Sequence, residues 1–343
     1  MIYIFGIFII ICLIGINFKN LKTIDENTLN RNQTLMINGI FVAIILFSHF
    51  NSYVTYTNKL DLIYYDLIYN KIGQLMVTTF LFFSGYGIYE SIKEKKDYIK
   101  NFFKNRILKL FISFSIALII YIIANYFLGN KYTITTTLLS FTGWENIGNS
   151  NWFIFATFCM YFATLFSFKL CKNNTNSLIL NTIFSLLYII FIMIFRGYDW
   201  WCNTILCYSA GMWFSYFKND IIDFLKKNSS YILTFILMGI LFLITYKYRA
   251  NYLIYEIHSI CFVILIILFS LKIKIGNPIL LWLGKNTFNI YILQRLCFMI
   301  FEYFKINEYN TYLYFLLSIT SIIIISIIYD KILNKLFKLI KLK

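Results

Sequence analysis

Only two histidines occur in this 343-residue chain, and one of them, His49, lies inside the apolar run RNQTLMINGIFVAIILFSHFNSYV at 31–54. An ionisable side chain at membrane depth is expensive, so it marks a functional site with a partner to be found. Imidazole titrates closest to neutrality, which suits it to take a proton from a weak nucleophile or to act as one. The alternative is a histidine held by a neighbouring helix for packing alone. Other residues able to do chemistry in apolar surroundings are Glu256, His258, Tyr291, Gln294 and Arg295.

These residues need helices to hold them. The chain is 60% hydrophobic, 21% aromatic and 13% charged, which excludes an ordinary soluble domain. Apolar runs separated by short polar stretches predict an all-α membrane protein, a polytopic bundle of about eleven transmembrane helices. The predicted spans are about 2–17, 35–54, 72–90, 107–128, 152–170, 178–195, 200–217, 231–247, 251–271, 279–300 and 311–330. The first run lacks a basic n-region and a small-residue cleavage site, so it reads as a retained helix. The only proline, Pro278, sits where a helix begins, so no proline kink is expected. The seven cysteines lack metal-ligand spacing and read as buried thiols, and no metal is expected.

A formal charge of +16 would point to nucleic acid in a soluble protein. Here the lysines sit at helix ends, so orientation is the better reading and no nucleic-acid partner is expected. One alternate set of loops carries most of the charge: Lys19, Lys22 and Arg31, the 91–110 segment SIKEKKDYIKNFFKNRILKL, then Lys169, Lys172, Lys218, Lys226, Lys227, Lys272, Lys274 and the tail. That set is predicted to be cytoplasmic, with the N-terminus outside, the C-terminus inside and the plasma membrane as location. The 91–110 segment is either an anchor on anionic headgroups or a surface for a phosphate-bearing cofactor. The tail, 331–343, reads as a basic amphipathic segment on the inner surface, contacting membrane lipids.

With this orientation His49 lies roughly 20 Å along its helix, about two-thirds across a core roughly 30 Å thick. Glu256 and His258 fall roughly 8–11 Å below the outer edge, and Gln294 and Arg295 roughly 22–24 Å up from the inner one. Asn151 and Trp152 open one span from the outside, as Trp200, Trp201 and Asn203 open another. Polar groups from five helices at one depth predict a wet, enclosed cavity. Glu256 and His258 are two apart and point to opposite faces, so one of them lines it, and His258 is the one expected. Tyr291 and Arg295 share a face, with Gln294 beside them. Arg295 has an alternative role as counter-ion to Glu256 or Glu302, and the tryptophans as an interfacial belt.

The segments NGIFVAIILFSHF, FLFFSGYGIYES, KNFFKNRILKL, NSNWFIFATFCMYF, WWCNTILCYSAGMWF and LGKNTFNIYILQRL occur in this order, each on its expected helix. In them the chain resembles the acyltransferase-3 family of integral-membrane O-acyltransferases. The resemblance covers 33–330, leaving 1–32 as an extra helix and loop and 331–343 as the tail. It implies transfer of an acyl group, usually acetyl from cytoplasmic acetyl-CoA, to a hydroxyl of an extracytoplasmic glycan or lipid-linked sugar. The family's signature is a basic residue, ten residues, then the essential histidine. His49 matches the histidine, whereas the basic position is Asn38 and the acidic position three before it is Leu35. Cofactor contact is therefore expected from Arg106 and Lys104 as well as Asn38. Ser84, Gly85 and Tyr86 match the family's SG-aromatic stretch, Trp152 its span-opening tryptophan, and Gln294 a polar position after IYIL. His49 is expected as base or acyl carrier, with Arg295, Gln294 or Tyr291 as oxyanion donors. Asn151, Trp152, Trp201, His258, Ser84 and Tyr86 are expected to meet the acceptor. A non-enzymatic translocator of a glycan or lipid-linked sugar is the rival reading. Translocators more often show internal repeats or broken helices, and neither is visible in the sequence.

Overall fold

The computed structural model describes residues 1–18, 29–197 and 199–342. Lys19, Lys22 and Lys343 of the expected inner charge set lie outside the described residues. In chain order the elements are α1 (Ile2–Leu13), β1 (Ile16–Phe18), α2 (Arg31–Phe50), α3 (Lys59–Tyr65), α4 (Thr78–Glu94), α5 (Lys109–Leu128), α6 (Ile134–Ser140), α7 (Trp152–Leu170) and α8 (Asn174–Phe195). There follow α9 (Leu206–Tyr216), α10 (Lys218–Lys226), α11 (Asn228–Lys247), α12 (Tyr252–Lys272), β2 (Ile273–Ile275), α13 (Pro278–Lys285), α14 (Thr287–Tyr303), α15 (Ile306–Tyr309) and α16 (Thr311–Leu339).

Eight helical stretches among the described residues are long and apolar enough to cross a membrane. Large apolar side chains stand exposed along whole helix faces, as at Ile232, Leu233, Ile236, Leu237 and Ile240 of α11. Such a continuous apolar surface needs lipid rather than water against it. The chain is an all-α membrane protein, with one short strand pair among the described residues.

Three expected spans take another form. α1 and α9 are 12 and 11 residues long, short of the roughly 20 that a spanning helix needs. The run at 279–300 breaks at Asn286 into α13 and α14, although no proline is involved. The Thr287 hydroxyl takes up carbonyls of the turn before the break, donating to Gly284 O at 2.9 Å and Leu283 O at 3.4 Å, while Asn286 Nδ2 adds a second bond to the Trp282 carbonyl that Asn286 N already holds. The segment from Lys59 is helical already, leading through a π-helical turn at Asp66–Ile72 and a 3-10 turn at Gly73–Val77 into α4. The tail continues α16 to Leu339 instead of starting a separate element.

α1 is stapled to the bundle through hydrogen bonds. β1 pairs antiparallel with β2, and Asn277 Nδ2 donates to Ile11 O at 2.7 Å. Gln33 then ties the start of α2 to the same place, donating to Ile275 O at 2.7 Å and accepting from Ile275 N at 2.9 Å.

Two glycine crossings fix the helices that carry the candidate residues. Gly39 of α2 lies against the Leu280 carbonyl of α13, and Gly284 of α13 against the Leu35 carbonyl of α2. Gly85 of α4 meets the Tyr208 carbonyl in the same reciprocal way as Gly211 of α9 meets Phe82. Small residues at such crossings let backbones approach where no hydrophobic effect drives helices together. A Cβ here would run into backbone, so Gly211→Ala should cost about 1–3 kcal/mol by overpacking. Gly239→Ala on α11, with nothing within 4 Å, should instead be neutral or slightly stabilising. Thermal unfolding of the two variants in detergent checks the difference, and equal Tm values would refute the crossing.

Candidate functional site

The site grows out of α2. Asn30 starts this helix by accepting from Asn32 N at 3.0 Å and Gln33 N at 3.1 Å. From there Arg31, Thr34, Leu35 and Asn38 recur at three- and four-residue spacing and form one face, which lines a cavity of about 840 Å³. Eleven residues are close to three full turns, so His49 returns to this face roughly 16 Å beyond Asn38.

α4, α7, α9, α13 and α14 supply the other walls, with Ser84, Tyr86, Phe153, Tyr161, Tyr208, Lys285 and Tyr291 among the lining residues. At the far end the Tyr291 ring lies 6.0 Å from the His49 ring. Gln294, fully buried, places Nε2 2.8 Å from His49 Nδ1 and donates to Tyr291 O at 3.1 Å. With the amide in this sense Nδ1 accepts and the ring proton sits on Nε2. Gln294 Oε1 is left buried without a partner among the described residues. Turned end for end, the amide gives Oε1 the Nδ1–H and opens the Nε2 lone pair, the state that a general base needs. Gln294→Leu removes either bond and, with His49 as base, should cost roughly 1–3 kcal/mol of transition-state stabilisation, or about 5–150-fold in kcat. Steady-state kinetics checks this; a shift in KM alone would contradict an orienting role.

Arg295, half-buried, donates from Nε to Ser150 Oγ at 3.1 Å. It makes no ion pair with Glu256 or Glu302 among the described residues, so the counter-ion role is not realised. Ser150 escaped the sequence reading because a lone serine in a loop carries no signal. Asn151 beside it donates to Gly143 O at 2.8 Å and to Trp144 O, folding the 143–151 loop onto α7. Trp201 is buried rather than a belt residue. Its ring lies 5.8 Å from that of Trp144, and Arg196 stacks over both at 4.7 and 4.2 Å. Trp152, half-buried, meets Phe153 edge-on at 5.7 Å, and Phe153 in turn packs on Tyr291 at 5.5 Å.

The expected convergence of five helices on one enclosed cavity is corrected: His49, Gln294 and Arg295 stand together beyond the Tyr291 end of the lining, and Asn151, Trp152 and Trp201 lie outside it. Glu256 and His258 do face opposite ways, but neither lines the cavity. Glu256 accepts from Ile205 N at 3.0 Å and Leu206 N at 3.1 Å, capping α9. His258 turns to α11, with Nδ1 3.0 Å from Thr245 Oγ1 and its ring stacked on Phe242 at 4.3 Å. Depth along a helix was readable from sequence; the neighbour that each face meets was not.

The other end of the cavity is strongly basic. Arg31, Lys95, Arg106 and Lys218 line it, with Lys285 further along the wall, against Glu90 and Glu94. Lys218 lies 3.9 Å from Glu90, whereas the other four cations have no carboxylate partner among the described residues. Arg106 donates from Nε to Tyr98 OH at 2.9 Å. Ser84 and Tyr86, expected on the acceptor side, lie in this same cavity with Asn38 and Arg106. Ser84 Oγ is 3.4 Å from Tyr161 OH, and Lys218 stands 5.5 Å over the Tyr86 ring. Lys104 is exposed and outside the lining. Unpaired cations at the mouth of a cleft recruit a polyanion, and guanidinium and ammonium groups suit phosphates.

A bundle of apolar helices encloses a cleft with cations at one end and a histidine held by an amide beyond the other, the fold and site of a polytopic membrane protein with a polar interior. The acyltransferase-3 family model, described as an acyltransferase domain, matches residues 36–331, nearly the whole chain, and the chain belongs to that family. It is a membrane acyltransferase. No curated protein and no solved structure matches the chain.

Proposed function

We propose that the chain is a plasma-membrane O-acetyltransferase that takes acetyl from cytoplasmic acetyl-CoA and delivers it to a hydroxyl of an extracytoplasmic glycan or lipid-linked sugar. The observation that carries this reading is the single cavity joining four unpaired cations to Tyr291, beside His49. The cations hold the donor's phosphates, and its pantetheine arm runs along the Asn38 face of α2 with the thioester beside His49. Tyr291 and Phe153 close the apolar end of the cavity.

His49 takes the proton of the acceptor hydroxyl as its oxygen attacks the thioester carbonyl. Arg295 or Tyr291 donates to the oxyanion that develops. As the tetrahedral centre collapses, the C–S bond breaks, the new C–O bond remains, and the imidazolium returns its proton to the leaving thiolate. In the variant with His49 as carrier, the imidazole is acylated first and the hydroxyl attacks second.

Orientation follows from the lysines: the basic mouth, the loop after α4 and the end of α16 face the cytoplasm, and the N-terminus faces out. Eleven crossings result if α1, α9 with its preceding turns, and α13–α14 complete the eight longer helices.

Membrane vesicles carrying the protein should move radiolabel from acetyl-CoA into the glycan or lipid-linked sugar fraction. Label that stays in CoA or appears only as free acetate would remove the transferase reading with these substrates.

A further inference from the structure

Two groups in the cavity wall stand without partners at one level. Asn38 Oδ1 is buried and accepts no hydrogen bond from the described residues. Lys285 has no carboxylate or hydrogen-bond partner among the described residues, and it lines the same cavity. The glycine crossing sets their relation: Gly284 lies against Leu35, and Gly39 lies against Leu280 and Gly284 N. Lys285, the next residue after Gly284, therefore enters the cavity beside the Leu35–Gly39 stretch of α2. Arg31 is about 10 Å nearer the mouth than Asn38, and Tyr291 is presented by the next helix, beyond the break that follows Lys285. Asn38 has no charge, so a cation at this level has to come from the neighbouring helix.

We propose that Asn38 and Lys285 form one two-helix clamp at the junction of the donor's diphosphate and pantetheine. Lys285 Nζ holds a diphosphate oxygen, and Asn38 Oδ1 accepts the first pantetheine amide N–H. The amide acceptor is useful only because the charge is carried elsewhere: an arginine at 38 has no acceptor to offer. The break at Asn286 is what allows Lys285 to end one helix pointing into the cavity while Tyr291 is presented by the next. This clamp rests on the proposed acyl-CoA donor.

The test titrates acetyl-CoA and S-acetyl-pantetheine, which lacks the phosphates, into the purified full-length protein in detergent. Lys285→Gln should weaken acetyl-CoA about tenfold, as loss of one charge-assisted hydrogen bond does, and leave S-acetyl-pantetheine unchanged. Lys285→Arg should stay within a few-fold of wild type. Asn38→Leu should weaken both ligands. Adding Asn38→Arg to Lys285→Gln should restore acetyl-CoA but not S-acetyl-pantetheine. Unchanged acetyl-CoA binding in Lys285→Gln, equal losses for the two ligands, or no rescue by Asn38→Arg would each overturn the clamp. Failure of wild type to bind acetyl-CoA would instead overturn the donor reading on which the clamp rests.

Discussion

His49→Ala should lower kcat for acetyl transfer by about 10²–10⁴-fold, the contribution of a positioned general base, while leaving KM for acetyl-CoA near wild type. A sugar hydroxyl is almost fully protonated at neutral pH, and among the described residues no other base lines the Tyr291 end of the cavity. His258, the second histidine, is committed to Thr245 and Phe242 between α11 and α12. Glu256 is committed to the α9 backbone. His49 is half-buried and, among the described residues, its side chain bonds to Gln294 alone, so truncation leaves the α2–α13 crossing intact. Tm should therefore shift little. Unaltered kcat, or a loss explained by unfolding, would contradict the assignment.

Arg106→Gln should raise KM for acetyl-CoA about 10–100-fold with a smaller effect on kcat, while Lys104→Gln should do neither. Both residues belong to the segment 91–110, which sequence alone leaves as either an anchor or a phosphate site. The structure divides it. Arg106 turns inward from the π-helical turn Phe103–Leu108, held by Tyr98, and lines the cavity. Lys104 is exposed and outside the lining, the position of an anchor lysine. A guanidinium without a carboxylate partner gives its full charge to a phosphate, and losing a charge-assisted hydrogen bond costs roughly 1.5–3 kcal/mol. Kinetics of the two variants at fixed ionic strength separates the cases. Equal KM effects from both would return the whole segment to a diffuse electrostatic role.

Period and depth made much of this legible from sequence. Apolar runs gave the all-α membrane class, and the position of His49 and Gln294 along their helices put them at the same level, where they touch. The eleven-residue step from 38 to 49 returned both to one face. What failed was what depends on tertiary partners. The break at Asn286 is supported by the Thr287 hydroxyl, which holds the Gly284 and Leu283 carbonyls, and neither proline nor loss of apolar character announces it. The glycines at 39, 85, 211 and 284 read as ordinary helix residues until the backbones that they meet are known. Lys285 stood in view within LGKNTFNIYILQRL, yet one lysine in a lysine-rich chain carries no information without its neighbours. Glu256 and His258 were separable by face but not assignable, since periodicity says nothing about which helix each face meets.

The central claim is that this chain places acetyl groups on a surface glycan through His49. Mass spectra of that glycan from cells with the gene, without it, and with only the His49→Ala form test it most directly. The account predicts species heavier by acetyl units in the first cells alone, with the variant present in the membrane at wild-type level. Acetylated species in the His49→Ala cells, or identical spectra with and without the gene, would contradict it.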